Sequence, residues 1–169
     1  MRREQLSARP GWREIVINQG LSFPDTPRPD GSVTPYWMDD VAYEFTIEQI
    51  EQLEAVTAQL WDMSLKTVEH VLRQGNLADF GLPASALDYL RWSWDTQQPT
   101  VYGRFDVAWD GIGQPKLLEF NADTPTGLIE SSVCQWFWLN DQKPGHDQFN
   151  SLHERLVEVW RRIANKIPI

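Results

Sequence analysis

Cysteine is all but missing from this sequence. Cys134 stands alone among 169 residues, so no internal disulfide can form and a disulfide-stapled scaffold is excluded. A lone thiol fits a reducing compartment, and the cytoplasm is the expected location. Basic side chains are scarce as well: 15 Lys and Arg face 24 Asp and Glu, a formal charge of −9. Contacts to a phosphate backbone need Lys and Arg, so nucleic-acid binding is not expected. No run approaches the ~18 apolar residues of a membrane span. No apolar stretch follows the charged start Met1-Arg2-Arg3-Glu4, so no secretory leader is expected either. There is no glycine-rich phosphate loop and no G-x-S-x-G elbow. His70, His146 and His153 lack metal-ligand spacing.

Tryptophan, by contrast, is abundant, with nine residues. Disordered chains are poor in aromatics, so this chain folds. Its length suits one domain, or one domain plus a fragment, at about 100–200 residues per domain, and is enough to bury a core without staples. An acidic surface admits cationic ligands, polyamines included, and is also an ordinary solubility feature.

Four prolines and the Asp30-Gly31 pair predict an irregular loop over 22–36. Thr46 and Gln49 fit a capping box, and Ile47, Ile50, Leu53, Val56, Leu60 and Met63 recur at helical spacing. One amphipathic helix over about 47–74 is expected, with Gly75 as its C-cap. A shorter helix follows near Pro83. Thr100 to Trp109 alternates like a strand, Asp110-Gly111 supplies turn chemistry, and Lys116 to Asn121 returns as a second strand. A loop over 121–127, a helix over about 128–139 and a last helix capped by Ser151 and Glu154 complete the pattern. The expected fold class is α/β (α+β), with helices packed on a small mixed or antiparallel sheet that contains the 100–121 hairpin.

The chemically informative residues are Arg104-x-Asp106 and Glu119-x-Asn121. Period two puts Arg104 and Asp106 on one strand face, and Glu119 and Asn121 on one face of the next. In a hairpin with an even-numbered loop all four share a face, with cross-strand neighbours ~4.5–8 Å apart. Two carboxylates and an amide oxygen are hard ligands suited to Mg²⁺, which fills the rest of its octahedron with water and phosphate. An arginine beside them suits the charge on a transferring phosphoryl group. The same spacing also describes a solvated hairpin face with an ordinary ion pair.

Thr124 and Thr126 precede a predicted helix, where free N–H groups favour anions, although such loops are also plain caps. Cys134 lies among Val133, Trp136 and Phe137 and reads as a buried structural thiol. The Trp92-x-Trp94 and Trp136-x-Trp138 pairs read as core rather than as a ligand platform.

The runs YGRFDVAWDG (102–111) and LLEFNADTPTGLIE (117–130), with PYWMDDVAYEFT (35–46) and QWFWL (135–139), resemble the glutathionylspermidine synthase family. The similarity runs from about Arg9 to residue 160. Members of that family are similar to trypanothione synthetase and join a pre-ATP-grasp region to an ATP-grasp fold. The resemblance implies an ATP-dependent ligase that phosphorylates the glycine carboxylate of a glutathione-like acid. A polyamine-like amine then attacks the acyl phosphate. Matched by motif, Asp106, Glu119 and Asn121 correspond to Mg²⁺ ligands and Arg104 to the arginine that contacts the phosphoryl group. Thr124 and Thr126 fall where the family places hydroxyls near the acid's carboxylate.

Family synthetase regions extend well beyond this length, and their nucleotide-holding lysines and acidic residues lie past the matched segment. The expectation is therefore a single pre-ATP-grasp-like domain over 1–169, the N-terminal part of a ligase, from a truncated product, a frameshifted gene or a split protein. Without an ATP cradle it is expected to be silent alone and to need a complementary C-terminal chain. A non-catalytic binding or assembly module that requires a partner chain is the alternative, since tryptophan-rich surface favours association.

Overall fold

The computed structural model describes residues 1–74 and 77–165. In chain order the elements are β1 (Arg2–Gln5), α1 (Trp12–Asn18), β2 (Asp25–Pro27), β3 (Val33–Pro35), β4 (Val41–Glu44), α2 (Ile47–Gln74), α3 (Ala84–Asp95), β5 (Arg104–Ala108), β6 (Lys116–Asn121), α4 (Gln135–Gln142) and α5 (Leu152–Ala164). The class is mixed α/β, as expected. The sheet component is three separate antiparallel pairs, β1–β4, β2–β3 and β5–β6. Contacts divide the chain into two compact units, Met1–Ile50 with Tyr102–Ile169, and Glu51–Val101.

The first unit is organised around a small core. Val16, Leu21 and Cys134 are fully buried, with Trp12 and Trp37 packed against them. Burial pushes the Cys134 thiol above its ordinary pKa, so this cysteine is a packing residue, as its apolar neighbours predict. Beside the core lies a buried ion pair. Arg9 Nη2 donates to Asp39 Oδ1 at 2.8 Å, and the Arg9 backbone N–H donates to Asp39 Oδ2 at 2.7 Å. Trp37 Nε1 also donates to Oδ1, and Trp138 Nε1 donates to the Asp39 carbonyl. Arg9 reaches on to Asp141 at 2.7 Å. One residue pair thus ties the N-terminal segment, the approach to β4, and α4 together.

The β1–β4 pair is held by charge as well as by its ladder. Lys143 Nζ donates to Glu44 Oε1 at 2.6 Å and also bonds Glu4, while Arg2 Nε donates to Glu44 Oε2 at 2.9 Å.

Several local expectations are corrected. The 22–36 segment is not an irregular loop throughout: β2 and β3 form a short hairpin within it. Pro27 and Pro35 end their strands, where a missing donor costs little. Asp30 Oδ1 accepts from the Ser32 N–H at 2.9 Å, and Gly31 turns the chain at φ 82. The Thr46–Gln49 capping box forms, with bonds of 3.1 and 3.4 Å. The Ser151–Glu154 box does not. Ser151 Oγ instead accepts from Arg155 Nε at 2.9 Å, and Asn150 Oδ1 accepts from the Leu152 N–H. The expected C-cap Gly75 lies outside the described residues.

The strand expected from Thr100 begins only at Arg104, where β6 supplies a partner. The helix expected over 128–139 passes through a π-helical segment, Glu130–Cys134, before α4. The paired tryptophans are not core throughout. Trp92 is 50% exposed and Trp136 46%, whereas Trp138 is buried. Residues two apart on a helix point ~200° from one another, so such a pair cannot share one buried face. No helix among the described residues is long and apolar enough to cross a membrane.

Candidate functional site: a polar hairpin face beside a cleft

Alternation and turn chemistry build the β5–β6 hairpin, and its register decides what faces what. Arg104 stands opposite Asn121, Phe105 opposite Phe120, and Asp106 opposite Glu119. Beyond them Val107 pairs with Leu117 and Ala108 with Lys116, so Leu118 is an extra residue, a β-bulge. The four polar residues singled out in the sequence therefore share one face. The other face carries the Phe105–Phe120 stack, with centroids 4.1 Å apart. Gly103 permits that stack, because a Cβ there would lie 2.9 Å from the Phe120 ring. Leu117, which alternation alone would set beside Glu119, stands opposite Val107 instead.

Arg104 is clamped. Its Nε donates to Asp106 Oδ1 at 2.6 Å and its Nη2 to Oδ2 at 3.1 Å, a bidentate pair. Its Nη1 donates to both the carbonyl and the hydroxyl of Thr126, each at 2.8 Å. The Asn121 amide satisfies both its atoms in the orientation where Nδ2 donates to Glu119 Oε1 at 2.9 Å and Oδ1 accepts from Arg104 Nη2 at 3.1 Å. The hydrogen bond from Arg104 holds the Asp106 carboxyl below its ordinary pKa, and the same bond raises the guanidinium.

This donor set fits Mg²⁺. Asp106 and Glu119 point from directly opposed positions, and Arg104 leaves further lone pairs on each Asp106 oxygen. Mg²⁺ needs only one or two protein carboxylates. Among the described residues no group of three or more His, Cys, Asp and Glu is gathered for a metal. An all-protein cage of the zinc type is therefore not what the hairpin provides. Thr124 lies exposed on the 122–127 loop, while Thr126 turns its hydroxyl to Arg104.

Next to this face opens a cleft of about 370 Å³ lined by Leu21, Phe23, Tyr36, Thr126, Ile129 and Glu130, among others. Tyr36 Oη donates to Glu130 Oε1 at 2.7 Å, a bond that, with some burial, raises the phenol's pKa. Tyr102 is raised mainly by burial. Sequence reasoning missed Tyr36 and Glu130. They are 94 positions apart, and neither lies in a pattern that spacing can single out.

The mixed α/β architecture with small antiparallel pairs fits a pre-ATP-grasp domain. The family described as glutathionylspermidine synthase preATP-grasp matches residues 3–168, and the chain belongs to it. It is 39% identical over 156 residues to a Haemophilus influenzae protein named "Putative acid--amine ligase". That match covers 90% of this chain and 39% of the relative. It is also 33% identical over 86 residues to the trypanothione synthetase of Crithidia fasciculata, covering 50% of this chain and 13% of that protein. The chain thus spans about two-fifths of the length of the Haemophilus relative.

Proposed function

We propose that this chain supplies the metal and phosphoryl-handling part of an ATP-dependent acid–amine ligase that works through an acyl phosphate. The observation that carries the reading is the register. Asp106 opposes Glu119 and Arg104 opposes Asn121 on one hairpin face. Asp106, Glu119 and Asn121 would hold Mg²⁺, which when bound shields the negative charge of the nucleotide phosphates. Arg104, fixed by Asp106 and Thr126, directs a guanidinium at the place where phosphoryl charge develops. Thr126 positions that arginine, and Thr124 is free on the same loop to meet the acid's carboxylate. The carboxylate oxygen takes the γ-phosphoryl group of ATP, ADP leaves, and the amine nitrogen then displaces phosphate to form the amide.

A glutathione-like acid and a polyamine-like amine are the substrates suggested by the family, and a chain of this acidity favours a cationic amine. The lone buried thiol and the use of ATP fit a cytoplasmic setting. On this reading residues 1–169 act as one pre-ATP-grasp-like domain, and ligation also needs the nucleotide-holding part of the ligase.

A non-catalytic assembly module is the second reading. It is favoured by aromatic side chains left open to solvent, Trp92, Trp136 and Trp160 among them. One assay separates them. The chain is incubated with ATP, Mg²⁺, glutathione and spermidine, alone and with the nucleotide-binding remainder of a family ligase, and ADP is measured. ADP release only in the combined sample supports the ligase reading. Release by residues 1–169 alone shows that they need no further nucleotide-holding part, and no release in either sample favours the assembly module.

A further inference from the structure

The cleft beside the hairpin holds a carboxylate, Glu130, that makes no ion pair among the described residues. Glu130 is half-buried on its wall, and its single hydrogen bond among the described residues comes from Tyr36. That bond fixes one oxygen and leaves the other without a hydrogen-bond donor among the described residues. The remaining lining is neutral and largely apolar, including Leu21, Pro125 and Ile129. A carboxylate oxygen left open in such surroundings is a ready acceptor for a charged donor. Two aromatic rings stand at the same cleft: Phe23 and Tyr36 lie 5.3 Å apart at 56°, and both are about half exposed. Aromatic faces next to a carboxylate attract an organic cation. Glu130 also opens the π-helical segment, an irregularity that recurs at functional sites. Thr126 lines this cleft and bonds Arg104, so the cleft adjoins the hairpin face.

We propose that Phe23, Tyr36 and Glu130 form a subsite for a primary ammonium group, placed so that the rest of its molecule extends toward Arg104. Its role in ligation rests on the reading of the hairpin above, although its cation chemistry does not. The ammonium belongs either to the acid substrate, which would then be a zwitterion, or to the amine.

The test is binding to the chain by calorimetry with three probes: glutathione, N-acetylglutathione and spermidine. The acid source predicts that wild type binds glutathione at least tenfold more tightly than its N-acetyl form, and that Glu130→Gln removes that preference. The amine source predicts that spermidine binding falls at least tenfold in Glu130→Gln while glutathione is unaffected. Tyr36→Phe should weaken the same probe. The proposal is overturned if no probe binds, or if every affinity stays within twofold in Glu130→Gln and on N-acetylation. The N-acetyl comparison uses wild-type protein, so a poorly folded variant does not blunt the test. Magnesium titration of wild type and Glu119→Ala is run in parallel. Ammonium recognition without any Mg²⁺ binding would sink the hairpin reading and leave this one standing.

Discussion

Asp106 and Glu119 stand directly opposite one another across an antiparallel hairpin, although the turn end of that hairpin is in the other register. Continuing the Val107–Leu117 pairing would set Asp106 against Leu118 and Arg104 against Phe120. The bulge at Leu118 shifts the register by one residue and brings the four polar side chains to one face. Leu118 itself is 69% exposed, so it is tolerated as the extra residue without loss to the core.

Glu119→Ala should remove at least tenfold of the Mg²⁺ affinity, read by calorimetry. Its position is exposed, so stability should change by no more than ~0.5 kcal/mol in urea unfolding. Unchanged metal affinity would count against Glu119 as a ligand.

Arg104→Lys keeps the charge and loses the fork that grips Asp106 and Thr126 together. In a complete ligase, kcat should fall by ~10²–10³-fold, as for the loss of a preorganised charge-stabilising donor. Magnesium affinity should stay within a few-fold. Stopped turnover with normal metal binding would place Arg104 at the phosphoryl group.

Asp39→Ala leaves the Arg9 guanidinium with only the half-exposed Asp141 as a charged partner, in a place where Arg9 is 7% and Asp39 2% exposed. Removing one partner of a buried pair costs about 3–5 kcal/mol. The double variant Arg9→Met/Asp39→Leu should lose less than the single change, because no charge is left buried. A chevron or urea series on the three proteins decides it.

Acid should unfold the first unit in a defined window. Lys143, then Arg2, pull the Glu44 carboxyl down to about 2 from 4.5. A depressed carboxylate contributes stability that is fully present above the unfolded pKa and lost as pH falls through the folded one. Burial pushes the Asp39 carboxyl upward, yet the bonds from Arg9 and Trp37 outweigh it and lower its pKa, so it acts in the same direction. Stability should therefore decline between pH 4.5 and 2, and Lys143→Met should shallow that slope. A flat profile in wild type would contradict the pairing.

Gly103→Ala presses a methyl group into the Phe120 ring, which is already stacked on Phe105. The ring must move, at a cost of about 1–3 kcal/mol typical of overpacking. Thermal unfolding measures it, and a neutral result would show that the stack has slack.

Much of the fold was legible along the chain. The long periodic run marked α2 to its observed ends, Ile47 to Gln74, because 3.6-residue periodicity accumulates over many turns. Alternation marked β6 at Lys116 to Asn121. α1 is seven residues long and follows Gly11 with no side-chain cap, too short for a period to register. The strands β1 and β4, four residues each, exist because they pair with each other across the chain. Their ladder is a long-range event that leaves no local trace.

The sequence by itself determined the chemistry available at the site: which strand carries Arg104 and Asp106, which carries Glu119 and Asn121, and that two carboxylates, an amide and an arginine are at hand. Alternation fixes such faces strand by strand, since each side chain's direction follows from the residue before it. Whether the two faces coincide was decided only in three dimensions. Register is a relation between strands, and here it turns on where packing inserts one unpaired leucine. The same holds for Glu130, whose partner Tyr36 comes from a distant segment that folding, not spacing, brings to the cleft.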